Sequence, residues 1–141
     1  MENQPVLQVE HLTKHFPAGK KNVVHAVDDV SFTLQKGRTF GLVGESGCGK
    51  SSCARTIIRI YEPTGGKILL DGQDISHMKS RQLQPLRRKM QMIFQDPYAS
   101  LNARMTVRDI IAEPLLAHHV AKSPQEIAKY VYPMLEGVGL A

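Results

Sequence analysis

Residues 44–51, with the sequence GESGCGKS, carry the most informative pattern in the chain. They satisfy G-x-x-x-x-G-K-[ST], a phosphate-binding pattern that is meaningful where a strand precedes it and a helix follows it. The apolar run Thr39–Val43 predicts the strand, and the helical spacing of apolar residues between Ser51 and Ile60 predicts the helix. The order of strand, glycine loop and helix therefore predicts an α/β fold.

Each residue type in this loop suits the binding of a polyphosphate. Glycine at positions 44, 47 and 49 permits backbone angles that are closed to other residues, so successive N–H groups can surround a phosphate. The helix that begins near Lys50 adds unpaired amides and the positive end of its dipole. Lys50 supplies a positive charge for the β- and γ-phosphates, and the Ser51 hydroxyl can ligate Mg²⁺. The candidate nucleotide-binding residues of this segment are Gly44, Glu45, Ser46, Gly47, Cys48, Gly49, Lys50, Ser51 and Ser52.

The composition is that of a globular protein with a single domain. The 141 residues are 42% hydrophobic and 22% charged, which excludes a disordered or collagen-like chain. Because no run of 18 apolar residues and no secretory signal are present, we expect no membrane span and a cytoplasmic location. The net charge of +5 comes from one local cluster, which argues against a nucleic-acid-binding surface. The cluster is Lys79, Arg81, Arg87, Arg88 and Lys89.

Outside the loop, hydrophobic periodicity predicts a small β region and several helices. Strands are predicted at 6–9, 23–27, 30–34 and 90–94, with a polar turn at 17–22 and a short basic helix at 80–88. Two further helices are predicted to begin at the caps Thr106 and Ser123. The second of them has an apolar stripe of Ile127, Val131, Leu135 and Val138, and Gly137 and Gly139 end it.

Asp71 is a possible metal ligand, because it ends the apolar run Ile68–Leu70 as a Walker B carboxylate would. Asp71 also precedes Gly72, and Asp-Gly between two such runs predicts a two-residue hairpin turn within residues 67–75. We therefore predict a turn at Asp71 and no metal ligand. Cys48 and Cys53 lack a partner pair or a nearby histidine, so both are predicted to be free thiols.

Three longer strings resemble the nucleotide-binding subunits of ABC transporters, and among them the ATPases of bacterial oligopeptide and dipeptide importers. They are VHAVDDVSF at 24–32, GLVGESGCGKS at 41–51 and MIFQDPYASLN at 92–102. The last string is the most specific, because phosphate-binding loops occur in many families. The resemblance extends along the chain from about Val6, with small departures at Ser52 and Ala103.

The resemblance implies roles for residues outside the loop. Phe16 corresponds to an aromatic residue that stacks on adenine, with a core phenylalanine as the alternative interpretation. Gln95 corresponds to a glutamine whose side-chain oxygen reaches Mg²⁺ and the attacking water, so it is the implied catalytic residue and, with Ser51, a metal ligand. Residues 96–101, Asp96 to Leu101, would lie in the groove that receives a coupling helix of the membrane subunit.

The implied fold is a P-loop NTPase (RecA-like) core with an N-terminal antiparallel β subdomain and the start of an α-helical subdomain. Within 1–141, the β subdomain would comprise 6–40 and 67–75, the core 41–62 and 80–96, and the Q-loop with the first helices 97–141. The family's signature motif, Walker B strand and switch histidine do not occur before Ala141, and His118-His119 are predicted to be solvent-facing. We therefore expect the truncated, N-terminal part of such an ATPase.

The implied function is ATP-dependent uptake of peptides. The whole protein would bind ATP and Mg²⁺, pair with a second ATPase subunit, identical or paralogous, and act on membrane subunits at the cytoplasmic face of the bacterial inner membrane. The chain alone is expected to bind nucleotide at best. Two alternatives stay open: another P-loop enzyme such as a small kinase, and a non-catalytic nucleotide-binding module.

Overall fold

The computed structural model describes residues 5–140, so residues 1–4 and 141 of the predicted domain range lie outside the described residues. Within residues 5–140 the predicted α/β fold is confirmed, and the chain divides into two compact units between Gln91 and Met92. The strands are β1 (Leu7–Ala18), β2 (Asn22–Leu34), β3 (Gly65–Leu70) and β4 (Gln73–Asp74). The helices are α1 (Lys50–Ile57), α2 (Ser80–Leu83), α3 (Pro97–Ser100), α4 (Val107–Ala117) and α5 (Pro124–Gly137), with a 3-10 turn at Leu86–Arg88.

The four strands form one antiparallel sheet in the order β2-β1-β3-β4. β1 pairs on both sides, so that Val9 lies opposite Phe32 of β2 and Ile68 of β3. Between β3 and β4, φ is +49° at Asp71 and +78° at Gly72, as in the type I′ turn that Asp-Gly favours. The predicted hairpin and the predicted β region are therefore confirmed.

The sheet packs on α1 and on the segment that follows β4. The buried apolar cluster comprises Val9, Leu12, Val27, Cys53, Ile68, Leu70, Ile75 and Leu83. Just beyond the end of α1, the buried Arg59 donates from Nε to the Ile75 carbonyl oxygen (2.9 Å) and from Nη2 to the Met78 carbonyl oxygen (3.1 Å). Burial lowers the pKa of Arg59. These bonds hold α1 against the rest of the unit, and the glycine loop leads into the other end of α1.

Two predicted strands are wrong. Neither Thr39–Val43 nor Met90–Phe94 is paired with a neighbouring strand within residues 5–140. Val43 is 93% exposed and Ile93 is 94% exposed. A strand is stabilised by its ladder of hydrogen bonds to a neighbour, so an apolar run without a partner does not become part of a sheet. Periodicity identified the apolar character of both segments but contained no information about a partner.

Helix boundaries differ from the prediction at three places. α1 ends at Ile57 rather than Ile60, because Arg59 has a left-handed φ of +60°. The basic helix predicted at 80–88 is divided into α2 and the 3-10 turn around Pro85, which lacks a backbone N–H. Val138 follows the end of α5 and is 69% exposed, so it does not belong to the apolar stripe.

The unit that starts at Met92 contains α3, α4 and α5. Thr106 Oγ1 accepts a hydrogen bond from the Asp109 amide, and Ser123 Oγ accepts one from the Glu126 amide, both at 3.2 Å. Both predicted caps are therefore confirmed. Val131 of α5 is fully buried. Among the helices in the described part of the chain, none combines the length and the apolar character needed to cross a membrane.

Candidate phosphate-binding site

The loop of residues 44–49 leads directly into α1, whose first residue is Lys50. Gly49 is the N-cap residue of α1 with a φ of +94°, and a Cβ atom there would collide with the carbonyl oxygen of Ala26 in β2. Only glycine can therefore hold the loop this close to the sheet. The exposed part of the loop consists of Gly44, Glu45, Ser46, Gly47 and Cys48.

The ammonium group of Lys50 lies over the loop. Its Nζ donates hydrogen bonds to the carbonyl oxygens of Gly44 (2.7 Å) and Glu45 (2.6 Å), and the Cys48 Sγ lies 3.6 Å away. The two carbonyl acceptors are neutral, and within residues 5–140 no carboxylate forms an ion pair with Lys50. The positive charge is therefore available to an incoming anion.

The N-terminus of α1 adds hydrogen-bond donors to this charge. No side chain caps α1, and its first turn contains no acidic residue. Ser51 is exposed and Ser52 is half-buried in that turn. An uncapped helix start presents N–H groups and the positive end of the helix dipole to solvent. Loop, ammonium group and helix start together form a donor-rich, cationic surface that suits phosphate oxygens.

An open cavity of about 320 Å³ lies between the loop and β2. Cys48, Gly49 and Lys50 line it on the loop side, and His25 and Asp28 are among the β2 residues that line it on the other. This volume is at the lower end of the range of small-molecule sites. Three of the predicted binding residues therefore border a space that can hold part of a ligand.

The family model described as ABC transporter matches residues 27–141, a range that contains this loop and α1. The chain belongs to the ABC transporter family. Its family resemblance, predicted from three strings of sequence, is therefore confirmed.

Two relatives from Bacillus subtilis strain 168 are similar to nearly all of this ABC transporter chain. The oligopeptide transport ATP-binding protein OppF is 54% identical over 138 residues, which are 97% of this chain and 45% of OppF. The putative oligopeptide transport ATP-binding protein YkfD is 49% identical over 140 residues, which are 99% of this chain and 43% of YkfD. The chain thus spans less than half the length of these relatives.

A solved structure shares the fold. The bacterial ABC transporter cassette MJ0796, in its dimeric structure, has a TM-score of 0.81 with this chain at 24% identity. The match covers 96% of this chain and 58% of that cassette. The ABC cassette fold extends over the described residues even though the strands predicted at Thr39–Val43 and Met90–Phe94 are not formed.

Phe16, the predicted adenine-stacking residue of this ABC transporter chain, lies half-buried on β1. Its ring meets the Tyr61 ring edge-on with the centroids 5.2 Å apart, and Lys14 Nζ lies 4.8 Å from the Phe16 ring centroid. Phe16 is not one of the described residues that line the cavity beside Lys50. Its role in adenine stacking stays a prediction.

Gln95 and the segment after it belong to the second unit. Gln95 is exposed just before α3, and the Asp96 side chain caps α3 by accepting a hydrogen bond from the Ala99 amide at 3.1 Å. Tyr98 is 86% exposed and Leu101 is 49% exposed. The roles predicted for Gln95 and for residues 96–101 stay predictions.

The structure confirms the predicted turn at Asp71 and the two predicted free thiols. Asp71 lies in the turn and forms an ion pair with Lys89, whose Nζ is 2.7 Å from the Asp71 Oδ2. Cys48 and Cys53 are both free, as predicted; Cys48 is exposed and Cys53 is buried. Burial raises the pKa of the Cys53 thiol.

Sequence reasoning missed a group of three side chains near the β2 side of the cavity: His15, His25 and Asp28. No spacing motif connects them, because only the register of β1 and β2 brings His15 opposite His25. A usable signal existed, since the two histidines lie five positions before and after Lys20 in the predicted turn. Residues at equal distances from a hairpin turn become cross-strand neighbours.

Proposed function

We propose that this chain is the nucleotide-binding part of the ATP-binding subunit of an oligopeptide importer, and that residues 44–52 bind the phosphates of ATP. The observation that carries the proposal is the Lys50 ammonium group at the start of α1, which no carboxylate in the described residues neutralises. The names of relatives such as OppF and YkfD, which state oligopeptide transport, support the choice of solute class.

The groups around the loop fit a magnesium-bound triphosphate. Backbone N–H groups of the loop and of the first turn of α1 would donate to phosphate oxygens. Lys50 now bonds two neutral carbonyls, and a phosphate oxygen would accept a stronger, charge-assisted bond from the same ammonium group. The exposed Ser51 hydroxyl would ligate Mg²⁺ together with the Gln95 side-chain oxygen. When bound, Mg²⁺ offsets the negative charge of the β- and γ-phosphates.

The rest of the site would come from the segment around α3 and from other subunits. Gln95 would orient the attacking water, and Phe16 would offer its ring to adenine. Residues 96–101, with the exposed Tyr98 and Leu101, would contact the membrane subunits, because exposed apolar side chains are typical of interaction surfaces. A second ATPase subunit would pair with this one, and the assembly would lie at the cytoplasmic face of the bacterial inner membrane.

The alternatives of a small kinase and of a non-catalytic nucleotide-binding module use the same loop and would also bind a nucleotide. They are not favoured, since the ABC transporter family matches most of the chain from residue 27 onward. A kinase would transfer phosphate to an added acceptor, which an ABC subunit would not do.

An equilibrium titration with MgATP tests the proposal. We expect saturable binding by the chain, and binding about 30- to 150-fold weaker for Lys50→Ala, because a charge-assisted bond contributes about 2–3 kcal/mol. Lys36→Ala, which removes an exposed lysine from the turn after β2, is the matched control and should bind as the wild type does. Equal affinity of Lys50→Ala and Lys36→Ala, with both variants folded by circular dichroism, would overturn the proposed site.

A further inference from the structure

Three potential metal ligands converge on the β1–β2 hairpin. His15 on β1 lies directly opposite His25 on β2, and the two ring centroids are 4.0 Å apart. Asp28, three residues further along β2, contributes a carboxylate. One ligand atom from each of the three side chains lies within 4.8 Å of the others. Donors bound about 2.0–2.2 Å from a tetrahedral zinc ion are about 3.3–3.6 Å apart, so small side-chain adjustments would bring these three into coordination.

The His15 ring nitrogen lacks a hydrogen-bond partner. His15 Nε2 is buried and accepts or donates no hydrogen bond within the described part of the chain. The Asp28 Oδ1 atom is 3.8 Å away, which is too long for a hydrogen bond. Buried polar atoms in proteins are nearly always satisfied, so an unpaired nitrogen facing a carboxylate needs an explanation. A cation between the two atoms would be bound by both.

The other two ligands are open to solvent on the side of the cavity. His25 and Asp28 are exposed and both line the cavity beside the loop. A metal ion could therefore enter from the cavity and keep a coordination position directed toward it. Sites with three protein ligands and one open position are typical of zinc that binds a further small ligand.

We propose that His15, His25 and Asp28 bind one divalent transition-metal ion of the zinc, cobalt and nickel class, with a fourth position open to the cavity. Two imidazoles and one carboxylate suit these ions, whereas Mg²⁺ prefers oxygen ligands and retains its waters. The site is separate from the magnesium of a nucleotide and does not depend on the proposed function.

Cobalt titration of the whole chain, purified without a polyhistidine tag, tests the proposal. We expect one equivalent of Co²⁺ to bind with the visible absorption of a tetrahedral ion, to be displaced by Zn²⁺ and to be unaffected by excess Mg²⁺. His25→Ala and Asp28→Asn should each weaken binding by about 100-fold or more, since loss of a supporting contact alone costs about 10–100-fold. Both residues are exposed, so neither substitution removes core packing.

His11→Ala is the matched control. His11 Nδ1 lies 2.6 Å from the Asp29 Oδ1 on the same hairpin, so this neighbouring exposed pair also combines an imidazole with a carboxylate. Within residues 5–140 it belongs to no group of three potential ligands. We expect its removal to leave Co²⁺ affinity unchanged. The proposal is overturned by the absence of saturable Co²⁺ binding, by wild-type affinity in both His25→Ala and Asp28→Asn, or by an equal loss of affinity in His11→Ala.

Discussion

The four-stranded sheet and the segment Thr39–Val43 belong to the same compact unit and are both rich in strand-forming residues, yet only the sheet is formed. Ile68 in β3 is fully buried in the apolar cluster beneath the sheet, whereas Val43 is 93% exposed. The difference lies in the neighbours: β3 has a strand on each side, and residues 39–43 have none within the described range. Apolar sequence makes a segment able to form a strand, and a partner is what stabilises it.

The exposed segment has a consequence for the behaviour of the chain. Residues 39–43 lead into the glycine loop, and the side chains of Phe40, Leu42 and Val43 are all substantially exposed. Unpaired apolar strand segments associate with each other, so we expect concentration-dependent self-association of the chain.

Alanine substitutions in the two regions should give the largest difference in the free energy of unfolding. Ile68→Ala removes a fully buried side chain from the centre of the sheet and should lower the free energy of unfolding by about 2–5 kcal/mol. Val43→Ala removes an exposed side chain and should change it by no more than about 0.5 kcal/mol. Urea denaturation of both variants measures the contrast. A loss at Val43 as large as that at Ile68 would mean that residues 39–43 are buried in solution.

Two glycines extend the comparison to the loops. Gly49→Ala should lower the free energy of unfolding by about 2–4 kcal/mol. Gly49 has a positive φ, and the new Cβ would collide with the carbonyl oxygen of Ala26 in β2. Gly37→Ala is the control: φ is +72° there, but no atom lies within 4 Å of the added Cβ, so only about 1 kcal/mol of backbone strain is expected. Thermal unfolding of the pair checks this order. Equal costs would show that the glycine loop does not pack on the sheet.

The smallest effect on stability is expected at the edge of the sheet, where Asp74 makes the free energy of unfolding depend on pH. The Ser76 hydroxyl and the Ser76 amide both donate to Asp74 Oδ1, at 2.6 Å and 2.8 Å, and these bonds lower the pKa of Asp74. The two bonds therefore stabilise the folded state fully above the ordinary aspartate pKa of about 3.9. This stabilisation is lost as the pH falls through the lower pKa that Asp74 has in the folded state. Because Asp74 is exposed, we expect these bonds to contribute at most about 1 kcal/mol to the free energy of unfolding. Asp74→Asn should remove this part of the pH dependence in acid denaturation, and an unchanged profile would contradict it.

Local signals in the sequence predicted the elements whose causes are local. Asp71-Gly72 specified the hairpin turn, and Thr106 and Ser123 specified two helix starts, because each acts through neighbouring backbone groups. The glycine-lysine pattern likewise predicted a loop that leads into a helix. These features need only a few consecutive residues, so a single sequence contains them in full.

Features that depend on distant residues could not be predicted in the same way. Residues 39–43 are not part of a sheet because no strand pairs with them in the described residues, and the grouping of His15, His25 and Asp28 depends on strand register. The buried Arg59 is a third case, since its acceptors Ile75 and Met78 follow a hairpin that the sequence did not connect to α1. Charge on a residue does not indicate whether backbone carbonyls will surround it.

Backbone amide hydrogen exchange, with and without saturating MgATP, tests most directly whether the glycine loop binds nucleotide. We predict slower exchange at residues 44–53, because N–H groups of the loop and of the first turn of α1 would be bonded to phosphate oxygens. The amides of β3 and β4 should exchange at the same rate in both states. Unchanged exchange at residues 44–53, or slower exchange only outside them, would contradict the account.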